Sequence, residues 1–228
     1  MVEYLNIRLW LNLVAIALFG SNTMVLAQAE VMGWGNLQGI RVHGELMEFN
    51  TSICVTDSTG AIIARTGKEK QERPIYARSG NQQMLTTHID SLFITQWVDD
   101  TSVGAASLRV QIDSRDAANY GGVFLCVELP SEHFMLNQIE HSADGFSAAS
   151  DARRFVAKFQ RETSVSIKPD AQSKNPILFI HLLDGPLTEN QLVENQDIII
   201  GKYVPIKENK NNNMKTIKYE DQSRSYKT

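Results

Sequence analysis

The chain has 228 residues and a formal net charge of −4, with 43% hydrophobic and 21% charged side chains. Those proportions exclude wholesale disorder, collagen-like repeats and coiled coil, and the length suffices to bury a core without metal or dense disulfides. Residues 207–228 carry six basic and three acidic side chains, Glu3 and Arg8 cancel, and residues 30–206 are left at −7, an acidic body that argues against nucleic acid as a partner.

In chain order, the first element is a leader. Residues 9–19 read LWLNLVAIALF, too short a run for a bilayer, which takes about 20 residues, and Gly20, Ser21 and Asn22 break any helix behind it. Ala27-Gln28-Ala29 then places small residues where a signal peptidase reads them. Residues 1–29 are therefore assigned to an export signal. The protein is expected in the periplasm, at the cell surface or outside the cell, with no integral membrane span after cleavage. Glu3 and Asn12 are atypical of such leaders and leave uncleaved anchoring as the alternative.

From Gly39 onward the dominant period is two. Strands are expected over residues 39–42, 49–55, 61–65, 84–89, 92–98, 106–112, 123–129, 155–159, 163–167, 177–183 and 198–203. The alternation is plainest where Ala106, Leu108, Val110 and Ile112 interleave with Ser107, Arg109, Gln111 and Asp113. Turn chemistry separates the runs at His43-Gly44, Ser79-Gly80-Asn81, Asp99-Asp100, Tyr120-Gly121-Gly122 and Asp184-Gly185-Pro186. Only residues 131–141 and 189–194 suggest helical turns, and both are short. Many short strands at this spacing predict an all-β fold, an antiparallel two-sheet β-sandwich forming one domain over residues 30–206. The Asn- and Lys-rich residues 207–228 are expected to form a disordered polar tail.

Cys54 and Cys126 each lie in an apolar, strand-like run. Export permits a disulfide between them, and two buried thiols are the alternative. With no C-x-x-C, neither redox nor metal chemistry is suggested. Trp34 and Trp97 are the candidate ligand-binding residues, because an indole face offers a pyranose ring apolar area beside a polar edge. Trp97 shares strand parity with Phe93, which favours the core; Trp34, between Gly33 and Gly35, is open to either reading.

Other constellations are weaker. His133 and His141 flank Glu132 and Glu140, but solvated polar residues account for them better than a metal does, and no metal is expected. Acidic pairs at Asp99-Asp100 and Asp113/Asp116 match no EF-hand spacing. Residues 145–149, GFSAA, begin like a nucleophile elbow but end in Ala where Gly belongs. Glu45 and Glu48, three apart, would fall on opposite faces of one strand and fail as a glycosidase pair. Phosphate-cradling glycine loops are absent, so no cofactor is expected.

Residues 34–52 (WGNLQGIRVHGELMEFNTS), 66–71 (TGKEKQ), 89–93 (IDSLF) and 121–130 (GGVFLCVELP) resemble the N-terminal β-sandwich domain of large secreted bacterial proteins, glycoside hydrolase-like, that degrade polysaccharides. The likeness spans residues 33–200. It implies an exported, non-catalytic accessory or carbohydrate-binding sandwich, with a polysaccharide or a catalytic module as partner. In such proteins the catalytic module follows the sandwich. Here the tail follows, so the resemblance carries no catalytic residue and suggests a free-standing accessory domain or the truncated front of a larger enzyme. Two alternatives stand beside it: a glycoside hydrolase or polysaccharide lyase with an unrecognised active site, and a cell-envelope assembly module whose sheet edge pairs with a partner strand.

Overall fold

The computed structural model describes residues 28–42, 45–67, 73–102, 105–114, 116–149, 154–171, 173–188 and 191–200. Most of the expected leader, the His43-Gly44 turn and the expected tail lie outside the described residues. The strands, in chain order, are β1 (Gln28–Val31), β2 (Leu37–Val42), β3 (Glu45–Glu48), β4 (Asn50–Thr56), β5 (Ile62–Arg65), β6 (Ile75–Ser79), β7 (Gln82–Ile89) and β8 (Leu92–Ser102). They continue with β9 (Ala105–Ser114), β10 (Gly122–Glu128), β11 (Ile139–Ser142), β12 (Gly145–Ala149), β13 (Arg154–Phe159), β14 (Val165–Pro169), β15 (Pro176–Asp184) and β16 (Gln191–Ile200).

All neighbouring strands pair antiparallel. They form an eight-stranded sheet in the order β11-β12-β13-β16-β9-β8-β7-β6 and a five-stranded sheet in the order β14-β15-β10-β4-β5. A three-stranded sheet, β1-β2-β3, is an addition to the two expected sheets. One hydrophobic cluster joins all three: Leu37 and Ile40 from the small sheet, Ile53, Leu125 and Ile180 from the five-stranded sheet, and Ile94, Leu108 and Phe155 from the large one. The fold is thus the all-β sandwich that the period-two pattern predicts.

Alternation works residue by residue in β7, where Gln83, Leu85, Thr87 and Ile89 are buried and Gln82, Met84, Thr86 and His88 are half-buried. β4 differs, because every residue after Asn50 is buried. Its Ile53 and Val55 enter the main core, whereas Cys54 joins Cys126, Ile177 and Phe179 in a second small cluster on the other face. A strand covered on both sides loses the polar face that makes alternation readable.

Buried polar side chains tie the small sheet down. Asp100 accepts the Ala29 backbone N–H at 2.8 Å, and the Gln83 side chain donates to the Ala29 carbonyl at 3.1 Å. The Thr66 hydroxyl donates to the Asn36 side-chain carbonyl at 3.0 Å and accepts the Ile53 N–H at 2.9 Å. β1 begins at Gln28, two residues inside the segment that the sequence assigns to the leader, and Ala29 is buried.

Both expected helical turns come out differently. Within residues 131–141 only Leu136–Gln138 is helical, a single 3-10 turn, and β11 begins at Ile139. Residues 191–194 open β16, pairing Gln191 with Ser114 and Val193 with Ile112. The Leu, Glu and Gln residues there favour helix locally, and a ladder of long-range backbone hydrogen bonds overrides that weak preference.

Candidate functional site

The face of the eight-stranded sheet turned away from the core is built by β7, β8 and β9. Their core-facing residues include Leu85, Ile94, Val98, Leu108 and Val110, so the intervening side chains point outward. Cross-strand register sorts these into rows. Gln82, Asp99 and Ser107 form one row; Met84, Trp97 and Arg109 the next; then Thr86, Thr95 and Gln111; and last His88, Phe93 and Asp113.

Within the rows the contacts are specific. The Arg109 guanidinium lies 6.0 Å from the Trp97 ring centre, a cation–π distance that holds the indole in place. The His88 and Phe93 rings are 4.7 Å apart and tilted by 34°. The Gln82 amide donates to both Asp99 carboxylate oxygens, at 3.0 and 3.1 Å, and the Thr86 and Thr95 hydroxyls stand 3.5 Å apart. Trp97, Phe93 and His88 are half-buried and Arg109 is exposed. The surface thus offers aromatic area interleaved with amides, hydroxyls, carboxylates and a guanidinium. That mixture suits a ligand with both C–H faces and hydroxyl groups.

Trp97 corrects its expected place in the core. Residues 92–98 are apolar at both parities, so period two alone cannot choose the face. The register chooses it: Gln96 pairs with Val110 and Val98 with Leu108, which puts these four on the core side and Phe93 and Trp97 on the other. Gln96 is 2% exposed because its amide donates to the Gly35 carbonyl at 3.3 Å. An outward signal was present in the sequence, since Arg109, Gln111 and Asp113 share one parity in β9.

Trp34 is 44% exposed in the turn between β1 and β2, where Gly35 takes a φ of +92°, a conformation that glycine adopts without strain. Gly35 is held by Gln96 from the core side of β8, and Trp97 leaves the same strand on the opposite side. The two candidate tryptophans are therefore not brought together. The turn that carries Trp34 also exposes Met32, and a Cβ on Gly35 would lie 3.7 Å from Pro74, which precedes the exposed Ile75 and Tyr76 in sequence.

Cys54 and Cys126 form a disulfide with a Cα–Cα separation of 6.2 Å. Cys126 pairs with Ser52 and Cys54 with Phe124, so the cysteines are diagonal neighbours on one face of adjacent strands, within bridging range. Around the disulfide lie Ile177 and Phe179, and the Lys168 ammonium stands 5.5 Å from the Phe179 ring centre.

The remaining candidates stand apart. Asp99 and Asp100 are neighbours in β8, so one carboxylate faces Gln82 on the outer surface and the other faces Ala29 on the inner side. Glu45 and Glu48 are both exposed on β3. Residues 145–149 are strand β12, with Ser147 paired between Glu140 and Val156 rather than raised on an elbow. Among the described residues no group of three His, Cys, Asp or Glu could hold a metal ion, and no helix is long and apolar enough to cross a membrane.

The two carboxylates that β8 and β9 present on the outer face, Asp99 and Asp113, are offset by six positions along the register, about 20 Å at the rise of a strand. Glycosidic cleavage by paired carboxylates needs about 5 to 9.5 Å. No protein-family model and no curated protein matches the chain.

Proposed function

We propose that this chain is an exported, non-catalytic carbohydrate-binding or accessory β-sandwich that works beside polysaccharide-degrading enzymes and binds glycan on the outer face of its eight-stranded sheet. The observation that carries the reading is Trp97, held outward by Arg109 amid Met84, Thr95 and Gln111. A sugar ring stacks its C–H face on an indole while neighbouring amides and hydroxyls take its hydroxyl groups. The sheet face supplies both kinds of contact.

Affinity electrophoresis of the mature chain through gels containing plant or algal polysaccharides tests the reading. At least one glycan is expected to retard the protein, Trp97→Ala to abolish the retardation, and Trp34→Ala to leave it. No retardation on any glycan overturns the proposal. New reducing ends or unsaturated products in the same mixtures would make the chain an enzyme.

A second reading, an envelope assembly module, draws on β6. This strand forms one edge of the large sheet, and all five of its residues are exposed. An edge with free backbone groups can accept a strand from a partner. Tyr76→Pro removes one edge donor and is expected to release the protein from an isolated envelope fraction if β6 is the attachment point.

A further inference from the structure

We propose that the leader is cut between Ala27 and Gln28, so that the mature protein begins at the first residue of β1. The inference rests on the export reading and fixes the bond at which the signal is removed. At the end of the leader two bonds follow an alanine. A cut after Ala29 uses Ala27 three positions back, and a cut after Ala27 uses the compact aliphatic Val25.

The structure separates the two. β1 pairs Gln28 with Arg41 and Ala29 with Ile40, so a cut after Ala29 would remove half of a four-residue strand. Ala29 is only 4% exposed, and removing it would uncover the core side of the small sheet. Both of its backbone groups are held by side chains from the large sheet, its N–H by Asp100 and its carbonyl by Gln83, which is itself 7% exposed. Cutting there would leave a buried amide and a half-buried carboxylate without those partners, and such groups are expensive to strand.

A cut after Ala27 leaves every one of these contacts intact. It also places the new α-ammonium group one residue from the N–H that Asp100 already accepts.

The test expresses the full chain, leader included, in an exporting bacterial host and reads the N-terminal peptide of the exported protein by mass spectrometry. A start at Gln28 is expected. A start at Glu30, or at any other residue, overturns this proposal and leaves export standing. An exported chain that keeps its leader likewise overturns the cut, whereas a chain retained in the cytoplasm overturns the export reading itself. Independently, mature chains beginning at Gln28 and at Glu30 are compared by thermal melting. The shorter chain is expected to melt at least about 4 °C lower. Equal melting temperatures overturn the claim that the sandwich requires Gln28 and Ala29.

Discussion

Asp100 illustrates how one residue's surroundings set its behaviour. Desolvation raises its carboxyl pKa, against the opposing effects of the Ala29 N–H and the Arg78 charge. A raised folded-state pKa means that the native protein holds this proton more tightly than the unfolded chain does. Stability therefore falls as pH rises from the ordinary aspartate value through the folded one. Asp100→Asn keeps the oxygen that accepts the Ala29 N–H and removes the titration. In urea unfolding from about pH 4 to about pH 7, this variant is expected to lose that segment of pH dependence and to be at least as stable at neutral pH. Asp100→Ala strands the N–H and is expected to cost about 1–2 kcal/mol. The disulfide is a second residue-scale case. Cys54 and Cys126 were readable as a pair that could bridge, but only the register of β4 against β10 makes them diagonal neighbours. Their separation of 72 residues gives about 4 kcal/mol in the chain-entropy model, so the double Cys→Ser variant is expected to unfold at markedly lower urea.

Strands were legible where one face is dry and the other wet. β7 and β9 meet that condition, and their alternation predicts them closely. β6 does not: Ile75 to Ser79 are exposed on both sides, so burial imposes no pattern on their sequence. β1, β3 and β11 have only four residues each, too few for a period to declare itself. The candidate face was half legible for a related reason. Alternation groups Phe93 with Trp97 and Arg109 with Gln111, yet the outward side of β8 becomes known only once β9 is set beside it. The same contrast predicts mutational cost. Ile198, fully buried in β16, is expected to lose about 2–5 kcal/mol as Ile198→Ala. Tyr76→Ala on β6, 51% exposed, is expected to change stability by no more than about 0.5 kcal/mol in the same urea titrations.

At the scale of the whole molecule, three sheets share one hydrophobic cluster, so no sheet can expose its core side without uncovering the others. Unfolding is therefore expected as a single transition, with tryptophan fluorescence and far-ultraviolet circular dichroism giving coincident midpoints. Two separated midpoints would show that the small sheet melts alone. β16 adds a constraint of timing. It sits between β9 and β13, and the register joins it to both. β6 to β9 leave the ribosome early, and β11 to β13 follow, but the seat between them stays vacant until residues 191–200 arrive. From the completion of β13 until β16 is added, the growing chain thus carries two unfinished sheet fragments with raw inner edges, and an unguarded neighbour could zip onto either. A holding chaperone would have to cover that vacancy until the closing strand emerges.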